Sequence, residues 1–288
     1  MKILLIGSTG QLGCELTKTC PENIELSECD FPGIDLCQPR SIDQCINAVQ
    51  PDCIINAAAY TDVDRAESQK DTAFKVNHIA VDHMARMAAE SGIQLIHIST
   101  DFIFDGKTTR PYLPYDEAKP LSVYGVSKLE GEKAVIKHLG NRALIIRTAW
   151  LYSSQGKNFV KTMIAMMKKK KPLSVIDEQI GTPTWARGLA EAVWICVEKQ
   201  VTGIHHWTDA GVASWYDFAC AIREEACEKG LIPDDTPQVM PVAADRYPTA
   251  GARPAFSVLD KRSMWEKTGI FPLHWRTQLR SMLEELVK

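Results

Sequence analysis

What most constrains this chain is an alternation in its first half. Short apolar runs at residues 3–6, 24–26, 53–55, 95–98 and 144–146 are separated by longer stretches of helical spacing, such as Val76, Ile79, Ala80, His83, Met84 and Met87. A strand that reads as an unbroken apolar run is buried on both faces, which requires a parallel sheet with helices on each side. Right-handed crossovers then wind those helices over both faces. The expected class is α/β, a Rossmann-type doubly wound parallel sheet. After Trp150 the alternation loosens. Pro and Gly cluster at 232–254 with Val239, Met240, Val242 and Tyr247 interleaved, which suits an ordered surface loop or a cap over a cleft. The run Lys168 to Lys171 before Pro172 reads as a solvated helix end. Residues 275–287 read as an amphipathic helix with Leu279, Met282, Leu283 and Leu286 on one stripe.

Composition closes off several classes. With 45% hydrophobic residues in a chain of 288, a large core is available and wholesale disorder is excluded. The 33 basic and 36 acidic residues leave no long-range field that would favour nucleic acid or an anionic membrane. No apolar run approaches the ~18 residues a bilayer span needs. The stretch between Lys2 and Gly7 is too brief for a signal-peptide core. The nine cysteines are odd in number, scattered, and never form CxxC. They read as reduced thiols of a cytoplasmic protein, with no metal site expected among them.

Chemistry concentrates where the runs end. Gly7-Ser8-Thr9-Gly10-Gln11-Leu12-Gly13 follows the first run and opens a helical stretch. Glycine permits the tight turn and lets backbone N–H groups approach a pyrophosphate, and the helix amino end adds partial positive charge. In strand–turn–helix context this reads as a dinucleotide loop, although its spacing is GxxGxxG. Asp30, 17 residues past Gly13, suits a carboxylate accepting from an adenosine ribose hydroxyl and by itself favours NADH. Asp35-Leu36 is a second candidate near the adenine. After the third run, Asn56, Ala57, Ala58, Ala59, Tyr60 and Thr61 include small residues that permit close approach of a cofactor.

Ser99 and Thr100 end the fourth run, where open α/β sheets bind ligands. A threonine hydroxyl there can donate to a carbonyl oxygen that gains negative charge. Tyr124 and Lys128 stand four apart in a helical stretch, which puts phenol and amine on one face. A phenol titrates near pH 10 in water, and a neighbouring positive charge is expected to lower that and bring proton exchange within reach. On this reading residues 1–150 form a dinucleotide-binding domain to which about 171–202 returns. Residues 151–170 and 203–288 then form a smaller substrate-binding domain.

The order GxxGxxG, Asn-Ala-Ala-Ala from Asn56, Ser99-Thr100 and Tyr124-x-x-x-Lys128 resembles the extended short-chain dehydrogenase/reductase family. Narrower features are similar to its reductases of nucleotide-linked keto sugars, over essentially the whole chain. These are NAAAYTDVDRAE at 56–67, STDFIFDG at 99–106, YGVSK at 124–128, Arg147 to Trp150, DEQIGTP at 177–183, and Arg253-Pro254 with 257–260. The resemblance implies Thr100, Tyr124 and Lys128 as the catalytic triad. With Gly7 and Gly13 of the glycine loop, it implies Gly10, Gln11, Leu12, Asp30, Asp35, Leu36, Ala59, Tyr60, Thr61, Tyr124 and Lys128 as contacts to NADPH or NADH. Thr100, Asp101 and Trp150 would touch a dTDP-sugar, and Arg253 is expected to pair with its diphosphate through bidentate bonds.

The implied reaction is hydride transfer to the C4 ketone of that sugar. Tyr124 donates the proton, Lys128 tunes Tyr124 and holds the nicotinamide ribose, and Thr100 polarises the carbonyl. Some members form Mg²⁺-linked homodimers bridged by glutamates. Glu15 sits in a comparable place, although one carboxylate is no metal site. Two rivals stay open. One is another nucleotide-sugar epimerase or reductase; related dehydratases place Asp-Glu after the threonine, where this chain has Asp101-Phe102. The other is a non-catalytic subunit similar to the accessory subunit of an animal methionine adenosyltransferase, against which the intact Thr100, Tyr124 and Lys128 set counts.

Overall fold

A computed structural model describes residues 1–287. Six parallel strands form its main sheet: β1 (Lys2–Ile6), β2 (Glu25–Cys29), β3 (Cys53–Asn56), β4 (Gln94–Thr100), β5 (Leu144–Thr148) and β6 (Gly203–His206). Their order is β6-β5-β4-β3-β1-β2, so the winding reverses between β1 and β3. The principal helices are α1 (Gln11–Lys18), α2 (Pro39–Val49), α3 (Ala80–Ser91), α4 (Val123–Leu139), α5 (Phe159–Met167), α6 (Ala186–Glu198), α7 (Trp215–Glu228) and α8 (Trp275–Val287).

Strand alternation explains the two covered faces. Ile3, Leu5, Ile55, Ile96 and Ile146 meet Leu12 and Leu16 of α1 and Leu189 and Val193 of α6. Their neighbours Leu4, Ile6, Ile54, Leu95 and Ile145 point the other way, onto Ile42 and Ile46 of α2, Met84 of α3 and Val135 of α4. Each such side chain contributes about 1.5–3 kcal/mol on burial. A second core lies among α5, α7 and α8, where Val160, Met163, Phe218, Ile222, Leu279 and Met282 pack together.

Several expectations shift. β2 begins at Glu25 rather than Ile24 and alternates instead of running apolar, because it is an edge strand that leaves Glu25 and Glu28 exposed. The regular helix expected from residue 76 starts at Ala80, after a π-helical turn over Lys75–Ile79. That wider turn holds buried Asn77 against the Tyr60 backbone (2.8 and 3.0 Å) and Ser127 Oγ (3.0 Å). The segment 232–254 contains a strand, Val239–Val242, paired in parallel with Leu173–Ile176. Packing also divides the segment 171–202. Leu173 and Val175 join the second core, whereas Leu189 and Val193 lie over the main sheet. β6 and Met264, both from the stretch expected in the substrate-binding domain, belong with the main sheet. The Gly-Ile-His-His sequence of β6 is too polar to read as a core strand. Lys168 to Lys171 are exposed, with Lys170 Nζ 2.7 Å from Asp235. Among the described residues no helix is long and apolar enough to cross a membrane, and the nine cysteines are free thiols.

Candidate active site

The reversal between β1 and β3 opens a crevice at the carboxyl ends of the strands, and a cleft of about 640 Å³ lies there. Gly7 ends β1 at φ +88°, and a Cβ on it would stand 2.6 Å from the Ala58 nitrogen. Only glycine lets these two strand ends approach so closely. A Cβ on Gly13 would collide with the Gly7 carbonyl, so Gly13 seats α1 directly on the loop and does not itself line the cleft. Gly10 is the N-cap of α1 and carries no side-chain cap. The first-turn N–H groups of a helix have no partner inside it. They form a cradle of backbone donors that fits a pyrophosphate.

Asp30 lines the same cleft. Its carboxylate accepts from Thr9 N (2.9 Å), Thr9 Oγ1 (2.6 Å) and Phe31 N (2.8 Å). Burial acts to raise this carboxyl, but those hydrogen bonds outweigh it and hold it below the ordinary value. An ionised acceptor is therefore fixed at the position expected to meet a ribose.

Ser122 caps α4 by accepting from Gly125 N at 3.2 Å. Tyr124 and Lys128 follow, one turn apart and both buried. The Tyr124 ring meets Phe102 edge to face at 5.5 Å. Burial pushes the phenol up to about 12, with the nearby Thr100 hydroxyl opposing this and the Asp101 charge adding to it. Burial also brings Lys128 down to about 8 against the pull of Glu132. The expected lowering of the phenol by the amine is thus absent here. Lys128 Nζ donates to the Ile98 carbonyl at 2.7 Å instead, and desolvation dominates both groups. At neutral pH Tyr124 is a protonated phenol, the form that donates. Burial raises Asp101 to about 6 as well, against the nearby Ser257 and Thr100 hydroxyls, of which Thr100 donates to Oδ1 at 3.1 Å.

Trp150, just past β5, has φ +47°, rare for a bulky residue, and its indole stacks on Trp215 at 3.6 Å and 8°. The cleft brings together Gly7, Gly10, Gln11, Leu12, Asp30, Ala59 and Thr61 on one side with Thr100, Asp101, Tyr124, Lys128 and Trp150 on the other.

Four other expected contacts lie off its lining. Asp35 Oδ1 accepts from Cys37 N at 2.8 Å, a turn-forming bond, and Leu36 packs on the core beside α2. Tyr60 packs beside Tyr124 and donates its hydroxyl to Gln69 at 2.9 Å. Arg253 does form a bidentate pair, but with Asp64, at 3.2 and 2.8 Å.

The family model for the RmlD substrate binding domain matches residues 1–288. The chain belongs to that family. It is 39% identical to the Bacillus subtilis spore coat polysaccharide biosynthesis protein SpsK, over 99% of this chain and 97% of the relative. It is 37% identical to the dTDP-4-dehydrorhamnose reductase of Escherichia coli K12, over 99% and 98%. Among solved structures, a dTDP-4-dehydrorhamnose reductase from Clostridium acetobutylicum superposes with a TM-score of 0.93 at 37% identity, covering 100% of both chains. One from Bacillus anthracis, in complex with NADP, gives 0.91 at 30% identity, covering 99% of both.

In this member of the RmlD family, Glu15 is fully buried and accepts from Ser153 Oγ at 2.9 Å. Lys18 Nζ, 3.5 Å from Oε1, also faces its carboxylate. Among the described residues no group of three or more His, Cys, Asp or Glu side chains is arranged for a metal. The sequence reading missed Thr9, which holds Asp30, and the loop of Gly156, Lys157 and Asn158 that lines the cleft opposite α1. Asn158 caps α5 and donates to Gln11 Oε1 at 3.0 Å. An asparagine just before an apolar helical run was the available signal; Lys157 carried none.

Proposed function

We propose that this protein reduces the C4 ketone of dTDP-4-dehydro-L-rhamnose to dTDP-L-rhamnose with NADPH or NADH. The observation that carries this reading is a buried Tyr124 that lines, together with Thr100 and Lys128, the cleft that the Gly7–Gly10 cradle opens. Gly10, Gln11 and Leu12 would hold the dinucleotide's phosphates and Asp30 its adenosine ribose. When bound, the coenzyme supplies the hydride.

The chain's own residues handle the proton and the geometry. Thr100 orients the ketone oxygen toward Tyr124. Tyr124 gives its proton to that oxygen as charge builds on it. Trp150, clamped by Trp215, offers an aromatic wall for the sugar nucleotide. Dehydration would need a second acid beside Asp101. That position is Phe102, packed on the Tyr124 ring. The intact acid–base set likewise speaks against a purely accessory subunit. We place the activity in the cytoplasm, on a soluble dTDP-sugar, with neither nucleic acid nor a membrane as partner and with a homodimer as the assembly.

The deciding experiment follows NADPH or NADH absorbance with purified protein and the dTDP-linked keto sugar. Consumption that needs both enzyme and sugar is expected with either coenzyme, and kcat/KM ranks the two. No consumption by folded protein would reject the reading, and tight binding to another protein instead would favour the accessory-subunit alternative. Sedimentation velocity would test the dimer.

A further inference from the structure

Two buried side chains beside Lys128 have no part in the reaction above. His97 of β4 is wholly buried between two nitrogen atoms, with Asn56 Nδ2 3.2 Å from its Nδ1 and Lys128 Nζ 3.4 Å from its Nε2. The orientation of the Asn56 amide is set from outside the ring. Ala58 N–H donates to Asn56 Oδ1 at 3.2 Å, so the Nδ2 end must face His97. An amide nitrogen only donates, hence Nδ1 accepts, and a neutral imidazole then carries its single proton on Nε2. His97 is neutral, because burial holds it well below its ordinary value and the Lys128 charge acts the same way.

The Nε2–H therefore points at the Lys128 nitrogen. An ammonium has donors only and would meet donor with donor, whereas a neutral amine offers a lone pair. The other near partner, the Ile98 carbonyl at 2.7 Å, accepts from either form.

We propose that Asn56 and His97 are a positioning pair that keeps the Lys128 amine ready to give up its proton, so that it resupplies Tyr124 instead of standing as a fixed cation. This rests on the reduction proposed above and adds a proton source to it. Each turnover moves one proton from Tyr124 Oη to the new alcohol. One proton then leaves Lys128 Nζ to restore the phenol, and water restores the ammonium. A group that titrates near the working pH exchanges protons most efficiently.

The other charges around the amine fit this assignment. Glu132, one turn further along α4, favours the ammonium, but it is engaged by Arg147 of β5 (2.7 Å) and Ser99 of β4 (2.5 Å). Asp101, Tyr124 and Asp30 line the same cleft. Burial of Lys128 outweighs Glu132, and the His97 donor works in the same direction as burial.

The test is nuclear magnetic resonance on protein labelled at histidine and lysine, without substrate. His97 should have a bare Nδ1 and a protonated Nε2, and Lys128 Cε should titrate far below an ordinary lysine. Asn56→Asp puts an acceptor at Nδ1, draws the proton there and turns Nε2 toward Lys128 as an acceptor. The Lys128 titration should rise by about one pH unit or more. His97→Gln adds no charge and keeps the pattern, with its amide oxygen toward Asn56 Nδ2 and its NH2 toward Lys128 Nζ, so Lys128 should titrate as in wild type. In each variant the alkaline limb of the kcat profile should follow the Lys128 titration, shifted in Asn56→Asp and unshifted in His97→Gln. A wild-type His97 protonated on Nδ1, or a Lys128 titration that stays put in Asn56→Asp or rises in His97→Gln, overturns the proposal. These spectra need no turnover, so they test the pair even where the keto sugar is not reduced.

Discussion

Removing one oxygen isolates the proton donor. In Tyr124→Phe the ring keeps its edge-to-face contact with Phe102 at 5.5 Å and its place beside Ala66 and Ala73. The hydroxyl's polar contacts given up are worth at most about 0.5–1.5 kcal/mol net, partly offset because a phenyl ring is cheaper to bury than a phenol. In a chain of this size that moves the melting temperature by only about 1–6 °C. Coenzyme affinity should hold within about twofold, under 0.5 kcal/mol, since the phosphate cradle at Gly10 and the carboxylate of Asp30 are untouched.

Turnover should behave differently. With its phenol at about 12, Tyr124 is protonated in nearly every molecule at pH 7, and it is the acid aimed at the ketone oxygen. Without it that oxygen must find a proton from water, and a lost general acid costs about 10²–10⁴-fold, or roughly 3–5 kcal/mol of barrier. Absorbance kinetics with a parallel fluorescence titration of the coenzyme would measure both quantities. A kcat within about threefold of wild type, less than 1 kcal/mol of barrier, would refute the role. A loss of affinity that matched the loss of rate would reassign Tyr124 to binding.

Other perturbations probe other parts of the site. Gly7→Ala combines φ +88° with a Cβ 2.6 Å from Ala58 N, so it should cost about 1–3 kcal/mol in urea unfolding and weaken the coenzyme; wild-type values for both would contradict the close approach of β1 and β3. Arg147→Met leaves the buried Glu132 carboxylate unpaired and should cost about 3–5 kcal/mol, read as a lower denaturation midpoint. Asp101 sits near 6 in the folded protein against an ordinary 3.8, so the fold holds a proton there that the unfolded chain releases. Stability should therefore fall as pH rises through that window and stay lower above it. Asp101→Asn, which copies the protonated form, should gain up to roughly 3 kcal/mol on wild type at pH 7 and nothing below pH 4; equal gains at both pH values would sink this account.

What could be read from the chain divides along a physical line. β1, β3, β4 and β5 were legible because burial on both faces leaves a continuous apolar run. β2 and β6 sit at the two edges of the sheet, where Glu25, Glu28 and the paired histidines of β6 are tolerated, and the pattern fades there. The glycine loop and the Tyr124–Lys128 interval are local geometry, fixed within seven residues of chain, so spacing alone located them. Long-range partnerships were not legible in the same way. Arg253 was correctly read as a bidentate donor, but its partner is Asp64, 189 positions away. Glu15 looks like a surface acid on a short helix until Ser153, from the far side of the dinucleotide loop, covers it.

The direction of the Tyr124 shift failed for a related reason. The four-residue interval puts amine and phenol on one face, yet the amine's preferred partners, the Ile98 carbonyl and the His97 ring, come from a strand 30 residues earlier. Burial sets both titrations. Sequence spacing can therefore nominate an acid–base pair, but the surrounding strands decide which member keeps its proton. Here they leave the phenol protonated and the amine exchangeable, which is the division of labour that a carbonyl reduction consuming one proton per cycle requires.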